Sequence, residues 1–314
     1  MKKTLLNLIA VFLLFIGISA NAQNRYLDDI FTNVYVYELD TYAVNISIEP
    51  MLFGMSPMLM PIGCDIYQPI GDVLTNRPVI IVSHTGSFLP PVANGQPTGS
   101  IKDSSIVEQC TRWAKKGYVA VAMGNRKGWN PTSTDQNVRT STLLQAAYRG
   151  IQDAKAMVRF MRMTEDNGNP YGIDTSRIVL SGQGSGGWVA LGYATLDKVS
   201  EIQLPKFLLI DSATQVAYPA IDTAVYGDWD GFGGSPYVNM ENHNGYSSDI
   251  DMVLNMGGGL GDLSWLEAGD VPMCGVHCPT DAIATYTTGD VSVALIGLVT
   301  TDISGSHDVM KEAN

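Results

Sequence analysis

The stretch that most constrains the fold is Ile178-Val179-Leu180-Ser181-Gly182-Gln183-Gly184-Ser185-Gly186-Gly187-Trp188. Its apolar start predicts a buried strand, the glycines of 182–187 predict a sharp turn, and the apolar residues that follow predict a helix through Leu196. A small-x-nucleophile-x-small run of this kind is a nucleophile elbow, which holds one residue above the carboxyl end of a parallel sheet. With Gly182 and Gly186 as the small pair, the held residue is Gly184, which has no side chain to attack with. Ser185 sits one place late. Moving it into the slot would put Gln183 where the turn needs a small residue.

The chain around this run alternates strand and helix. Pro78 to Ser83 is a short β-branched run without polar alternation, as expected of a strand buried on both faces. A helix is predicted from Ser105 to Lys116, opened by a Ser105/Glu108 capping box and ended by Gly117, and Tyr118 to Met123 is the next strand. Leu143, Ala147, Ile151, Ala154, Val158 and Met161 keep helical spacing from about Ser141, and Tyr171 to Asp174 turns into the elbow strand. Before this block, 23–71 reads as extended segments, with 34–37, 44–48 and 64–67 as strands. After it, Val271 to His277 and Val291 to about Thr300 complete the strands. The alternation from Pro78 to Ile210 predicts an α/β fold, a mostly parallel central sheet with helices on both faces. A Gly-, Asn- and Asp-rich segment, about 212–270, is predicted to be a lid or insertion within this single domain, 23–314.

Met1 to Ala22 reads as a cleavable export signal, with Lys2 and Lys3, the apolar run from Leu5 to Ile18, and Ala20-Asn21-Ala22 as the cleavage box. The expected location is therefore secreted or periplasmic, with no membrane span and no lipid-bearing cysteine after the box. Loss of the two lysines takes the formal charge from −12 to −14, which argues against nucleic acid and anionic membrane surfaces as partners. Export permits disulfides among Cys64, Cys110, Cys274 and Cys278, with three pairings open. On a continuous strand Cys274 and Cys278 would lie about 13 Å apart, too far for a local bridge. Cys274, His277 and Cys278 lack a fourth zinc ligand, and Asp228-Trp229-Asp230-Gly231 lacks the later ligands of a calcium loop, so ordinary structural residues are expected at both places. No metal or organic cofactor is called for.

RIVLSGQGSGGWVALGYA resembles the strand-elbow-helix of the α/β-hydrolase superfamily, especially its carboxylesterase and lipase-like branch, which carries serine where this chain has Gly184. Cys64-Asp65-Ile66-Tyr67-Gln68-Pro69 resembles that branch's Asp-Val-Tyr-x-Pro segment, and His84-Thr85-Gly86-Ser87-Phe88 resembles its His-Gly-Gly-x-Phe oxyanion loop, with Thr85 as the departure. The resemblance implies oxyanion donors at Gly86, Ser87 and the Ser185 N–H. It also implies an acid at Asp281, with Asp211 as the runner-up, and a histidine at His307. The bland readings are a packing role for His84, none for His243 or His277, and helix capping for Asp308. The family has a final helix where this chain stops, seven residues after His307, so a shortened C-terminal helix is expected.

Two mechanisms follow. In one, Ser185 attacks as a displaced nucleophile with His307 as base and Asp281 as orienting acid, giving a secreted esterase. The difficulty is direction, since successive helical side chains diverge by ~100°. In the other, Gly184 marks a catalytically dead hydrolase that binds a small-molecule ester or hydrophobic ligand, as in cholinesterase-like adhesion proteins of the neuroligin kind. A third reading, a purely structural domain, predicts no pocket. Trp129, Trp188, Trp229 and Tyr246 are candidate pocket aromatics, and the oligomeric state stays open.

Overall fold

The computed structural model describes residues 24–211, 213–293 and 297–314. The expected export signal and part of the predicted 291–300 strand lie outside them.

The strands are β1 (Val34–Ser47), β2 (Met58–Pro69), β3 (Arg77–Ser83), β4 (Val119–Met123), β5 (Ile173–Gln183), β6 (Leu208–Ile210), β7 (Ala217–Pro219), β8 (Met252–Met256), β9 (Gly259–Leu260), β10 (Met273–Val276), β11 (Gly289–Val293) and β12 (Gly297–Gly305). The main helices are α1 (Ser104–Lys115), α2 (Gln136–Asp166), α3 (Ser185–Thr195) and α4 (Ser306–Glu312). Seven strands form the central sheet in the order β1-β2-β4-β3-β5-β8-β10. The β1/β2 and β2/β4 pairs are antiparallel, and every pair from β4 to β10 is parallel. Val79, Ile81, Val121, Leu180 and Val253 are wholly buried, as expected of strands covered on both faces.

Register places the site. Ser83 lies opposite both Met123 and Gly182, and Gly182 lies opposite Asn255, so β3, β4, β5 and β8 end at one level. The loops after all four strands therefore meet at one edge, where ligands bind in open parallel sheets.

Several sequence expectations are refined. The strands expected at 34–37 and 44–48 are one strand, β1, kinked by register shifts between Tyr37 and Asp40 and between Thr41 and Ala43. The expected Ser105/Glu108 capping box gives way to Asp103 at the N-cap of α1, whose carboxylate instead accepts from the N–H groups of Gly99 and Ser100. The α2 helix starts earlier than expected, at Gln136, because Asp135 caps it by accepting from Asn137 N at 2.8 Å.

The end of the predicted insertion is corrected. Met252–Met256 is the sheet strand β8, a short apolar run masked in the sequence by the glycines after it. The preceding segment straps α2 and does not overhang the sheet edge: Tyr148 Oη donates to Gly227 O, Arg159 Nε to Asn242 O and Arg162 to Asp249 O. The strand predicted from 291 is also two strands, because β11 and β12 pair antiparallel as a hairpin joined to β9, outside the central sheet. All four cysteines are free thiols, Cys64 and Cys110 buried and Cys274 and Cys278 exposed. Among the described residues, no helix is long and apolar enough to cross a membrane.

Candidate active site

The elbow has the geometry that its sequence predicts. A Cβ on Gly182 would penetrate the carbonyl of Gly186, and one on Gly186 would penetrate that of Ser83, so the chain turns tightly between β5 and α3 only with glycine at both places. Gly184 has φ 54° and ψ −117°, a conformation that strains any residue with a side chain. Its N–H donates to Met256 O at 2.9 Å, tying the elbow to the end of β8.

The slot above Gly184 is occupied from the side. A Cβ added at Gly184 would fall far inside contact of Thr85 Oγ1 and 3.1 Å from Thr85 Cβ. Thr85 follows β3, and its hydroxyl has no hydrogen-bond partner among the described residues. The two departures from the family pattern, glycine at 184 and threonine at 85, are thus complementary in space.

The loop carrying Thr85 is held firmly. Ser87 and Phe88 both have positive φ, 53° and 57°, an uncommon conformation for residues with side chains. Gly128 N donates to Phe88 O at 2.8 Å and Trp129 Nε1 to Ser87 O at 2.8 Å, locking the strained turn from the loop after β4. That second loop is itself pinned to α2 by a buried ion pair, in which Arg126 Nε donates to Asp153 Oδ1 at 2.8 Å. His84 is buried with Nδ1 2.5 Å from Thr85 O, so that nitrogen carries the proton. Burial pushes its pKa down to about 4, and Lys127 nearby acts in the same direction.

A pocket of about 250 Å³ opens at this edge, and its wall includes Thr85, Ser87, Gly184, Ser185, Trp188 and Asp281. Phe88, Leu143, Met256 and Val291 make much of the remainder apolar. Ser185 is the first residue of α3 and faces the pocket, and its hydroxyl has no hydrogen-bond partner among the described residues. Gly86, the other expected oxyanion donor, is not on the wall.

The acid and the histidine expected from sequence take separate partners. Asp281 stands on the wall, its Oδ1 accepting from Ile283 N at 2.8 Å and Ala284 N at 3.0 Å. Its Oδ2 faces His277 Nε2 at 3.6 Å. His307 is exposed and absent from the wall: its Nδ1 bonds Asp308 Oδ1 at 2.8 Å, and that hydrogen bond holds the Asp308 carboxyl below its ordinary range. The hairpin of β11 and β12 accounts for this, since it delivers His307 against Tyr286, whose ring centroid lies 5.3 Å away. Asp308 does not cap the helix as expected, since Gly305 is the N-cap and no side chain caps it; Asp308 lies in the first turn and accepts from Thr288 N, joining helix to loop. The alternative acid, Asp211, closes a local turn by accepting from Ala213 N and Thr214 N. His243 packs on Phe160 with Nε2 2.5 Å from Tyr42 O.

His277 is the histidine that the sequence reading passed over. Its side chain is 1% exposed, and Nδ1 lies 2.7 Å from Ser306 Oγ. Ser306 accepts from Asn255 Nδ2 at 2.9 Å, and Asn255 Oδ1 accepts from Gly258 N at 2.8 Å, so the network runs back to the strand beside the elbow. The sequence signal was its spacing, four residues before Asp281. Of the four candidate aromatics, Trp188 lines the pocket, Trp129 holds the loop after β3, and Trp229 and Tyr246 belong to the strap. Among the described residues, no three His, Cys, Asp or Glu side chains converge as metal ligands do.

Fold and elbow together define an esterase-type α/β-hydrolase architecture. Residues 64–256, more than half of the chain, match the BD-FAE family model, and the chain belongs to this α/β-hydrolase-type esterase family. Among solved structures it is similar to a truncated carbohydrate esterase from gut microbiota, with 17% identity, 82% of this chain and 81% of that one covered, and a TM-score of 0.45. It is also similar to esterase Est2 of Thermogutta terrifontis, with 17% identity, coverage of 79% and 74%, and a TM-score of 0.46. Esterase B of Lactobacillus rhamnosis follows, with 16% identity, coverage of 80% and 58%, and a TM-score of 0.38. No curated protein matches the chain.

Proposed function

We propose that this chain is an exported member of its esterase family that binds a small carboxylic ester at the elbow without cleaving it through a covalent intermediate. The observation that carries this reading is the filled slot. Where the family holds a nucleophile the chain has Gly184, and Thr85 occupies the space its side chain would need. The pocket wall also lacks a histidine to accept a proton, and nucleophilic hydrolysis on this fold requires one. What remains suits binding: the N–H groups of Ser185 and Ser87 to receive a carbonyl oxygen, and an apolar wall for the rest of the ligand. The reading carries with it removal of 1–22 on export and a single domain from 23 onward.

A second reading keeps cleavage, with Ser185 attacking, His307 as base and Asp281 as orienting acid. The position of Ser185 on the pocket wall favours it, and the separate partners of His307 and Asp281 weigh against it. Calorimetric titration of the mature protein with methyl butyrate, beside a hydrolysis assay on p-nitrophenyl butyrate, separates the two. Binding with no Ser185-dependent turnover supports the first reading, and turnover lost in Ser185→Ala overturns it.

A further inference from the structure

A second cavity lies behind Trp188, the one residue that also borders the elbow pocket. Its walls come mainly from Leu144, Ala147 and Ile151 of α2, Leu196 after α3, Phe207 and Trp265. Its volume is about 50 Å³. We propose that this cavity is a subsite for a short saturated acyl chain of about three to five carbons, carried by a ligand whose ester group sits in the elbow pocket. The inference rests on the reading of that pocket as an ester-binding site and names the class of ester.

Three observations support the inference. The first is that the polar groups on the wall are already used: Tyr148 Oη donates to Gly227 O at 3.0 Å, and Trp265 Nε1 donates to Glu201 O at 3.2 Å. Water entering the cavity would need two to four polar partners and finds no free side-chain acceptor or donor on those two residues, so an apolar chain displaces little that is well held. The second is the partition. Trp188 Nε1 makes no hydrogen bond among the described residues, so no polar contact is broken when the ring shifts to join the two spaces. The third is size. A space of 50 Å³ takes about three or four water-sized groups, enough for a butyryl or valeryl tail and too little for a fatty acyl chain.

Each methylene moved from water into such a cavity strengthens binding about fourfold, from ~0.8 kcal/mol per group. The test is calorimetric titration of the mature protein with methyl acetate, butyrate, valerate and octanoate, repeated on Ala147→Leu. Ala147 lines the cavity behind Trp188 and not the elbow pocket, so leucine there fills the one and spares the other. The expected result is affinity rising about fourfold per carbon as far as valerate and levelling by octanoate, with the rise abolished in Ala147→Leu while methyl acetate still binds. Should leucine prevent folding, Leu144→Ala enlarges the same cavity and moves the plateau to longer esters. A flat series in the parent, an unchanged slope in Ala147→Leu, or an unmoved plateau in Leu144→Ala overturns the subsite while leaving ester binding at the elbow intact. Failure of every ester to bind overturns the reading of the elbow pocket as well.

Discussion

A methyl group added at position 184 should destabilise the protein through Thr85, and removing the Thr85 side chain should recover part of the loss. With φ 54° and ψ −117°, any residue other than glycine at 184 costs about 1–3 kcal/mol in backbone strain. The added Cβ also meets Thr85. Rotating the threonine would carry Oγ1 away but leave its Cβ at 3.1 Å, tighter than ordinary contact, so the loop must shift at a further cost of about 1–3 kcal/mol. Gly184→Ala is therefore expected to lower stability by about 2–6 kcal/mol in the parent, and by about 1–3 kcal/mol when Thr85→Gly is already present. The difference, a coupling of about 1–3 kcal/mol, is read from a double-mutant cycle by urea unfolding followed with tryptophan fluorescence. Costs that simply add, within about 0.5 kcal/mol, would refute the claim that Thr85 fills the slot.

Other consequences follow from the same structure. His84 accepts a proton only at about 4 in the folded state and near its ordinary 6.5 when unfolded. The unfolded chain thus binds more protons between those values, and stability should fall by about 3 kcal/mol as pH drops from 6.5 to 4; pH-dependent urea unfolding of His84→Gln should lack that part of the slope. His277→Ala should cost about 2–4 kcal/mol, because it removes a buried ring together with its hydrogen bonds to Ser306 Oγ and Ala284 O. The exposed His307→Ala should cost under about 1 kcal/mol, and thermal unfolding of the pair separates them. Asp153→Ala should destabilise by about 3–5 kcal/mol, since it strands the buried Arg126 guanidinium; recovery in Arg126→Met/Asp153→Leu would confirm the cause.

Much of this is legible in the amino-acid sequence. The elbow from Ile178 to Trp188 predicts its own turn because glycines at 182 and 186 leave one backbone path, and β-branched runs at β3, β4 and β5 state the parallel sheet. What resisted reading was long-range placement. β8 looks like part of a polar insertion because five residues carry little periodicity, and only pairing with β5 and β10 makes them a sheet strand. The positions of Ser185 and Asp281 on one wall follow from the local elbow and the loop after β10. His307 could not be placed from its order in the chain, because the β11/β12 hairpin decides which way it faces. Thr85 was visible as a departure from the oxyanion-loop pattern, but its meaning needs Gly184 beside it in space.

The most direct test of a binding pocket on a hydrolase scaffold is p-nitrophenyl butyrate turnover by the protein from residue 23 onward, with Ser185→Ala and His307→Ala in parallel. Oxyanion donors alone can leave about 10³- to 10⁴-fold acceleration over water, so residual activity by itself decides nothing. The account predicts the same low rate in all three proteins and no burst of nitrophenol. A burst in the parent, with turnover lost in both variants, would contradict it and make Ser185 the nucleophile.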